Sequence, residues 1–278
     1  MNRCRSEEAV APLLDAFDRD GVLIVLPAIS HWELSKGGTE STAEASLKIV
    51  SRRPEAFCVA RHTFLFKRDE RRYRHRLALA GLIDPRHTEN MRDVLRGLRD
   101  DTHTIDPTTV RAKRDHWRQV LDHEEDPRVL RELTALHRQQ LPQPRANLIR
   151  RALQGDSADR GPFREYLLEA VGGLDDLAAF LVGVGYGHVT ARRFTRFPSF
   201  SILHMIALQA VALRWRVLAG SASAADHVLE NEIIDAEYAV LASYGRGLIT
   251  GDLGARATYE DVLAVGSKLW PDGAAPAT

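Results

Sequence analysis

Residues 21–36 read GVLIVLPAISHWELSK, and this stretch decides the predicted fold class. Residues 22–26 form a continuous apolar run rich in β-branched side chains, which is typical of a strand buried on both faces in a parallel sheet. Pro27 ends the run, and residues 30–36 have the pattern of a short helix. A buried strand that leads directly into a helix predicts an α/β architecture.

The residues around this stretch continue the alternation of helices and strands. Residues 6–20 predict a helix with an apolar stripe that ends at Gly21, and residues 42–53 predict another helix. Residues 57–59 predict a second short strand. The N-terminal 60 residues therefore predict helices packed around short strands.

The middle of the chain has a different pattern. Residues 68–218 are helical in periodicity and are broken mainly by prolines. Within them, residues 199–219 are strongly apolar and predict a buried core helix, with Arg214 and Arg216 near its end.

Alternation returns at the C-terminal end. Residues 225–244 predict a helix, residues 247–250 a short strand, and residues 258–269 a final helix. The simplest assembly is a parallel sheet flanked by helices, built from residues 1–60 and 220–278. Residues 61–219 would then be a large all-helical insertion, so the predicted chain is α/β but helix-dominated overall.

Composition excludes several classes of protein. The chain has 278 residues, 44% of them hydrophobic and 27% charged, which indicates a globular fold. The formal net charge is zero, so the protein as a whole is not a polybasic nucleic-acid coat, although residues 61–160 carry 22 Lys and Arg against 16 Asp and Glu. No apolar run approaches the roughly 18–20 residues of a membrane span. Two cysteines, Cys4 and Cys58, make no disulfide scaffold, so we expect a cytoplasmic protein.

The predicted helix at residues 225–244 carries acids on its apolar side. At 100° per residue, Glu232 and Asp235 fall within a face formed by residues such as Ile233 and Val240. A carboxylate there needs a partner, because an unpaired buried charge is costly. That partner is either a bound cation or a buried arginine, and the helix taken alone favours the arginine.

Two further acids follow predicted strands. Asp252 comes just after the apolar residues 247–250, where open α/β sheets bind their ligands, and Thr250 adds a hydroxyl group. Glu33 lies on the short helix after the first strand. Each has a structural alternative, since Asp252 could cap the next helix and Ser30 with Glu33 matches a capping box.

The two ends of the chain together resemble the PIN-like nuclease family. NEIIDAEYA at residues 231–239, followed by GLITGD at residues 247–252, resembles the family's helix aspartate and its strand that ends in Thr/Ser-x-Asp. The distance of 17 residues between Asp235 and Asp252 is typical of the family. VLIVLPAISHWELSK at residues 22–36 resembles the family's strand, proline and helix with a glutamate. The resemblance covers roughly 60–70 residues.

The resemblance implies a metal-dependent ribonuclease. Glu33, Asp235 and Asp252 would bind Mg²⁺ or Mn²⁺, Thr250 would orient the site, and Glu232 would be an auxiliary acid. Carboxylate oxygens are the ligands that hard divalent cations prefer. RNA would be the substrate, and an antitoxin or another protein is a possible partner.

The chain departs from the family in two ways. The family opens with a strand that ends in Asp, and this chain begins at about the helix that follows it, so we expect a missing first strand. Met1 would then be an internal residue of a longer protein, or this copy would be inactive. In addition, the interval from Glu33 to Asp235 is much longer than in the small toxin ribonucleases.

Two other classes of function remain open on the sequence. The first is a non-catalytic helical protein-binding module in which the acids are structural. The second is a metal-independent ribonuclease of the HEPN type, because Arg131 with His137 matches its Arg-x(4–6)-His spacing. The same spacing recurs at Arg111 with His116 and at Arg118 with His123, and such matches are expected by chance in an arginine-rich chain.

Overall fold

The computed structural model describes residues 7–27, 47–63, 65, 68–70, 79–104, 106, 108, 112, 126–154, 160–183, 187–218, 226–245, 247, 248, 250 and 252–271. Helices dominate this part of the chain, and its one sheet is a parallel pair of short strands. The prediction of a helix-dominated chain with a parallel sheet is confirmed at this level.

The chain divides into two compact units. The sheet unit comprises residues 1–66, 78–124 and 249–252. The helical unit comprises residues 67–77, 125–248 and 253–278. These units differ from the division predicted at residues 60 and 220, because the C-terminal helices pack with the central helices.

The sheet unit is built on two parallel strands. They are β1 (Ile24–Leu26) and β2 (Phe57–Val59), with Ile24 opposite Phe57 and Leu26 opposite Val59. The helix α1 (Glu7–Asp20) precedes β1 and ends at Gly21, whose φ of 65° suits glycine best. All three residues of β2 are buried, so this strand lies in the interior of the unit.

The described part of this unit also includes a one-turn 3-10 helix (Pro54–Ala56) and two α-helices. The α-helices are α2 (Leu79–Leu82) and α3 (Pro85–Arg99), and Asp84 caps α3 by accepting a hydrogen bond from the His87 amide at 2.9 Å. Arg92 on α3 donates hydrogen bonds to the carbonyl oxygens of Phe57 and Glu55, each at 3.0 Å. The arginine thereby ties α3 to the start of β2. The shared core is apolar and includes Leu14, Leu26, Val50, Phe57, Val59, Met91, Leu95 and Leu98.

The predicted strand at residues 247–250 is not found in its described residues. Gly247, Leu248 and Thr250 form no strand there. Gly247 has a φ of 153°, a backbone conformation that L residues rarely adopt, and a chain that bends there does not continue as a regular strand. The predicted short helix at residues 30–36 lies outside the described residues.

The helical unit is organised around one long apolar helix. Its described helices are α4 (Asp126–Gln140), α5 (Gln143–Gln154), α6 (Gly161–Val171), α7 (Leu174–Gly183), α8 (His188–Phe194), α9 (Phe200–Leu218), α10 (Asp226–Ala242) and α11 (Leu253–Leu269). The helix α9 packs against α4, α5, α6, α10 and α11. The predicted core helix is confirmed, because 14 of its 19 residues are buried.

The length and composition of α9 would also allow it to span a membrane. However, 78% of its most apolar 18-residue window is buried inside the protein. In the described part of the chain no other helix passes the same test. The structure therefore gives no indication of a membrane protein.

The N-terminus of α9 is capped by a residue far away in the sequence. Glu70 is fully buried, and its carboxylate accepts hydrogen bonds from the Phe200 amide at 2.8 Å and from the amide and hydroxyl of Ser201 at 3.2 Å each. These amides are among the groups that a helix leaves unsatisfied at its start. A negative charge there also interacts favourably with the helix dipole.

We expect Glu70→Gln to destabilise the helical unit. The substitution keeps the size of the side chain but removes the charge and replaces one acceptor oxygen by a donor, which leaves an amide of α9 buried without its acceptor. The free energy of unfolding should fall by about 1–3 kcal/mol, as measured by urea denaturation. Glu165→Gln, at an exposed position of the same unit, is the control and should have little effect. Equal stability of the two variants would contradict a capping role for Glu70.

Candidate functional site

Thr250 and Asp252 belong to the sheet unit, although they follow the helices of the other unit in the sequence. The Asp252 amide donates a hydrogen bond to the Thr250 hydroxyl at 3.0 Å, which fixes the local turn. The side chain of Asp252 is exposed, and the next residue, Leu253, begins α11. Asp252 therefore presents a carboxylate to solvent from a defined backbone position.

Glu33 lies outside the described residues, which resume at residue 47. Its predicted role as a metal ligand stays a prediction, as does the capping-box alternative. Among the residues that the structure describes, no three His, Cys, Asp or Glu side chains are grouped so that they could hold a metal ion.

Glu232 and Asp235 lie on α10, where both are half-buried. Their neighbour with the opposite charge is Arg214 on α9. Burial lowers the pKa of Arg214, while the negative charges of Asp261, Glu232 and Asp235 raise it. Both acids thus act electrostatically on a cation of the protein itself, as the arginine alternative derived from the helix pattern expects.

Asp261 on α11 forms the most deeply buried ionic cluster of the described helices. Its side chain has 0% exposure and accepts hydrogen bonds from Arg160 at Nε (2.9 Å) and Nη2, and from Nε of Arg164 at 2.9 Å. A third guanidinium, that of Arg214, lies 4.0 Å from the same carboxylate. We call Asp261, Arg160, Arg164 and Arg214 the Asp261 cluster.

Asp261 was not predicted from the sequence. The helix pattern does indicate that Asp261 is buried, because Asp261 shares a helix face with Thr258 and Val265 at spacings of three and four residues. All three residues are buried in the structure. The reasoning that selected Asp235 applies equally to Asp261. The helix pattern does not identify the partners of Asp261, because Arg160 precedes Asp261 by 101 residues.

The arginines described between residues 61 and 160 are largely engaged within the protein. Arg96 forms ion pairs with Glu55, Glu89 and Asp93 at 3.1, 3.2 and 2.8 Å. Arg145 pairs with Glu169 at 2.7 Å. These arginines are therefore paired with acids of the same protein, and two of the acids, Glu55 and Glu169, lie outside the segment.

Of the three Arg–His pairs that match the HEPN spacing, the structure describes one, Arg131 with His137. His137 on α4 is 1% exposed, and its ring lies 5.9 Å from the ring of Tyr166. A histidine buried in this way cannot reach a phosphodiester bond without local unfolding. The pairs Arg111 with His116 and Arg118 with His123 lie outside the described residues.

Burial makes His137 a source of acid sensitivity. It lowers the pKa of His137, an effect that Gln209 opposes, and neither ring nitrogen makes a hydrogen bond of normal geometry with a described residue. The unfolded chain therefore binds a proton more readily than the folded protein does. Stability from this residue is present above the ordinary histidine pKa of about 6.5 and is lost as the pH falls below it.

We expect His137→Leu to reduce the loss of stability between pH 7 and pH 5. Leucine keeps the site apolar and removes the group that must take up a proton. Urea denaturation at several pH values measures the effect, and the exposed His103 provides the control variant His103→Gln. An unchanged pH dependence in His137→Leu would show that other groups cause the acid sensitivity.

No family model, curated protein or solved structure matches the chain.

Proposed function

We propose that the protein is a metal-dependent endoribonuclease of the PIN-like type that acts in the cytoplasm. The observation that carries the proposal is the return of Thr250 and Asp252 to the sheet unit. The unit that holds the parallel strands β1 and β2 thus also holds an exposed carboxylate from the far end of the chain. The sheet unit thus contains residues 22–36 and Asp252, and this shared unit supports the resemblance of residues 22–36 and 247–252 to two parts of one nuclease site.

The donor groups suit a hard divalent cation. Asp252 would bind Mg²⁺ or Mn²⁺ together with Glu33 of the same unit. Asp235 and Glu232 belong to the helical unit, so their role as metal ligands stays a prediction. Thr250 would hold the Asp252 backbone in place through the hydrogen bond at 3.0 Å. A bound cation would activate water and neutralise charge on the phosphate that is cleaved.

The proposal is tested by metal binding and RNA cleavage together. Calorimetric titration with Mn²⁺ should show binding, and a fluorescent single-stranded RNA should be cleaved in the presence of Mg²⁺ or Mn²⁺ and not in EDTA. Cleavage that persists in EDTA would favour a metal-independent mechanism. A protein that neither binds Mn²⁺ nor cleaves RNA would contradict the proposal.

The ion pairs of the arginine-rich segment favour a second candidate function. Because Arg96 of the sheet unit and Arg145 of the helical unit are each engaged with acids of the same protein, these arginines offer less free positive charge to RNA. A non-catalytic helical module that binds a protein, such as an antitoxin, fits these paired arginines better. RNA affinity measured by fluorescence anisotropy between 50 and about 200 mM salt separates the two candidates, since phosphate contacts make binding strongly dependent on salt.

A further inference from the structure

The start of α3 is attached to the carboxyl end of the strand β2. Val59, the last residue of β2, accepts a hydrogen bond from the Asp84 amide at 2.9 Å, and its own amide donates to the Thr88 hydroxyl at 2.9 Å. The next residue, Ala60, donates from its amide to the Leu26 carbonyl oxygen at the end of β1, at 2.8 Å. The start of α3 therefore lies at the carboxyl end of the parallel pair, which is where open α/β sheets bind their ligands.

Asp84 orients the ring of His87 at this end of the sheet. One carboxylate oxygen of Asp84 accepts a hydrogen bond from the His87 amide, and the other lies 2.9 Å from Nδ1 of the same histidine. A carboxylate has no proton to donate, so Nδ1 carries the proton of this second hydrogen bond. In a neutral imidazole the other ring nitrogen, Nε2, then keeps its lone pair.

The pair combines a shielded acid with an accessible base. The side chain of Asp84 is 21% exposed, whereas that of His87 is 69% exposed. Burial alone would raise the pKa of Asp84, but the hydrogen bonds from the amide and ring of His87 outweigh this effect and lower it, which keeps the carboxylate charged. The sheet unit thus holds an exposed imidazole in the tautomer that a general base requires.

We propose that His87 is the general base of the nuclease site in the sheet unit and that Asp84 is its positioning residue. The inference rests on the proposed function, because hydrolysis of a phosphodiester needs a group that takes a proton from the attacking water. As the water oxygen bonds to phosphorus, its proton passes to Nε2 of His87. The electron pair of the broken P–O bond stays on the leaving oxygen, which takes a proton from solvent, and His87 then releases its proton to solvent.

The same contacts also suit a simple helix cap, and two conservative variants separate the two roles. Asn caps a helix about as well as Asp does, and Gln replaces His87 at a position where capping boxes use Glu or Gln. Asp84→Asn and His87→Gln should therefore each change the melting temperature by less than about 2 °C. A helix cap without a catalytic role predicts unchanged RNA cleavage in both variants.

Steady-state cleavage of a fluorescent single-stranded RNA in Mn²⁺ is the first measurement. His87→Gln should lower kcat about 100-fold or more with little change in KM, the scale of lost general-base catalysis. Asp84→Asn should lower kcat at least about 10-fold, because the NH₂ group of Asn would face Nδ1 and favour the other tautomer. His103→Gln, at an exposed histidine of the same unit, is the matched control and should leave kcat and KM unchanged.

The tautomer of His87 is measured independently of activity. Long-range proton–nitrogen correlation spectra should place the ring proton on Nδ1 in the unmodified protein and on Nε2 in Asp84→Asn. A proton on Nε2 in the unmodified protein would overturn the inference, whether or not the protein cleaves RNA. Calorimetric Mn²⁺ titration of His87→Gln should match that of the unmodified protein, since weaker binding would make His87 a metal ligand and overturn its role as a base.

The inference and the proposed function can fail separately. If the unmodified protein and His87→Gln cleave RNA with the same kcat, His87 is not the base, and the nuclease proposal stands without it. An unmodified protein that cleaves no RNA would reject the nuclease and the role of His87 as its base together.

Discussion

Asp261→Asn is expected to destabilise the helical unit by more than about 3 kcal/mol, the usual cost of removing one partner from a buried ion pair. Arg160, Arg164 and Arg214 would remain around a neutral amide, and the NH₂ group of Asn would point a donor at guanidiniums that have only donors to offer. Because these arginines lie on or next to α6 and on α9, the loss should affect several helices at once. Urea denaturation followed by circular dichroism measures the change.

The control for this prediction is the neighbouring residue. Glu260 is partly exposed, pairs with Arg256 at 3.2 Å and lies 3.9 Å from Arg164, so Glu260→Gln should change the free energy of unfolding by less than about 1 kcal/mol. If Asp261→Asn is as stable as Glu260→Gln, the Asp261 cluster contributes little to the fold, and the arginines must be balanced by other acids.

Asp252→Asn is expected to lower metal-dependent RNA cleavage at least about 100-fold, the scale expected for loss of a group that stabilises charge in the transition state. Asn keeps the shape of the side chain and the backbone amide that donates to Thr250, but it removes the negative charge that would attract the cation. The side chain is exposed, so the fold should be retained. Initial cleavage rates in Mn²⁺, together with calorimetric Mn²⁺ titration, measure both effects.

Asp101→Asn is the matched control for Asp252→Asn. Asp101 is an exposed acid of the same unit with a φ of 53°, a conformation that Asn tolerates as well as Asp does. Its substitution should leave cleavage and metal binding unchanged. Full activity of Asp252→Asn would move the chemistry away from Asp252.

Most helices and the two described strands were predictable from the sequence because their signals are local. The apolar run at residues 199–219 predicted α9, and the pattern at residues 225–244 predicted α10. The short apolar segment at residues 57–59 coincides with β2. The prediction of a strand at residues 247–250 was wrong for its described residues. Gly247 has a φ of 153°, which does not continue a regular strand.

The candidate site was only partly predictable. The periodicity of α10 selected Glu232 and Asp235 as acids that need a partner, and it left a metal ion and an arginine as alternatives. The helices α9 and α10 pack together, and against the effect of its burial the charges of both acids raise the pKa of Arg214 on α9. No local pattern on α10 carries that information, since the partner belongs to another helix.

The sequence by itself determined the helix-dominated class, the central apolar helix α9 and the parallel character of the short strands. These features follow from the spacing of apolar side chains along the chain, which acts over a few residues. Only the tertiary structure decided which charges meet. Arg160 reaches Asp261 across 101 residues, and Glu70 reaches Phe200 across 130 residues. A buried charged or polar group needs a partner, but the way in which the helices pack decides which residue is that partner.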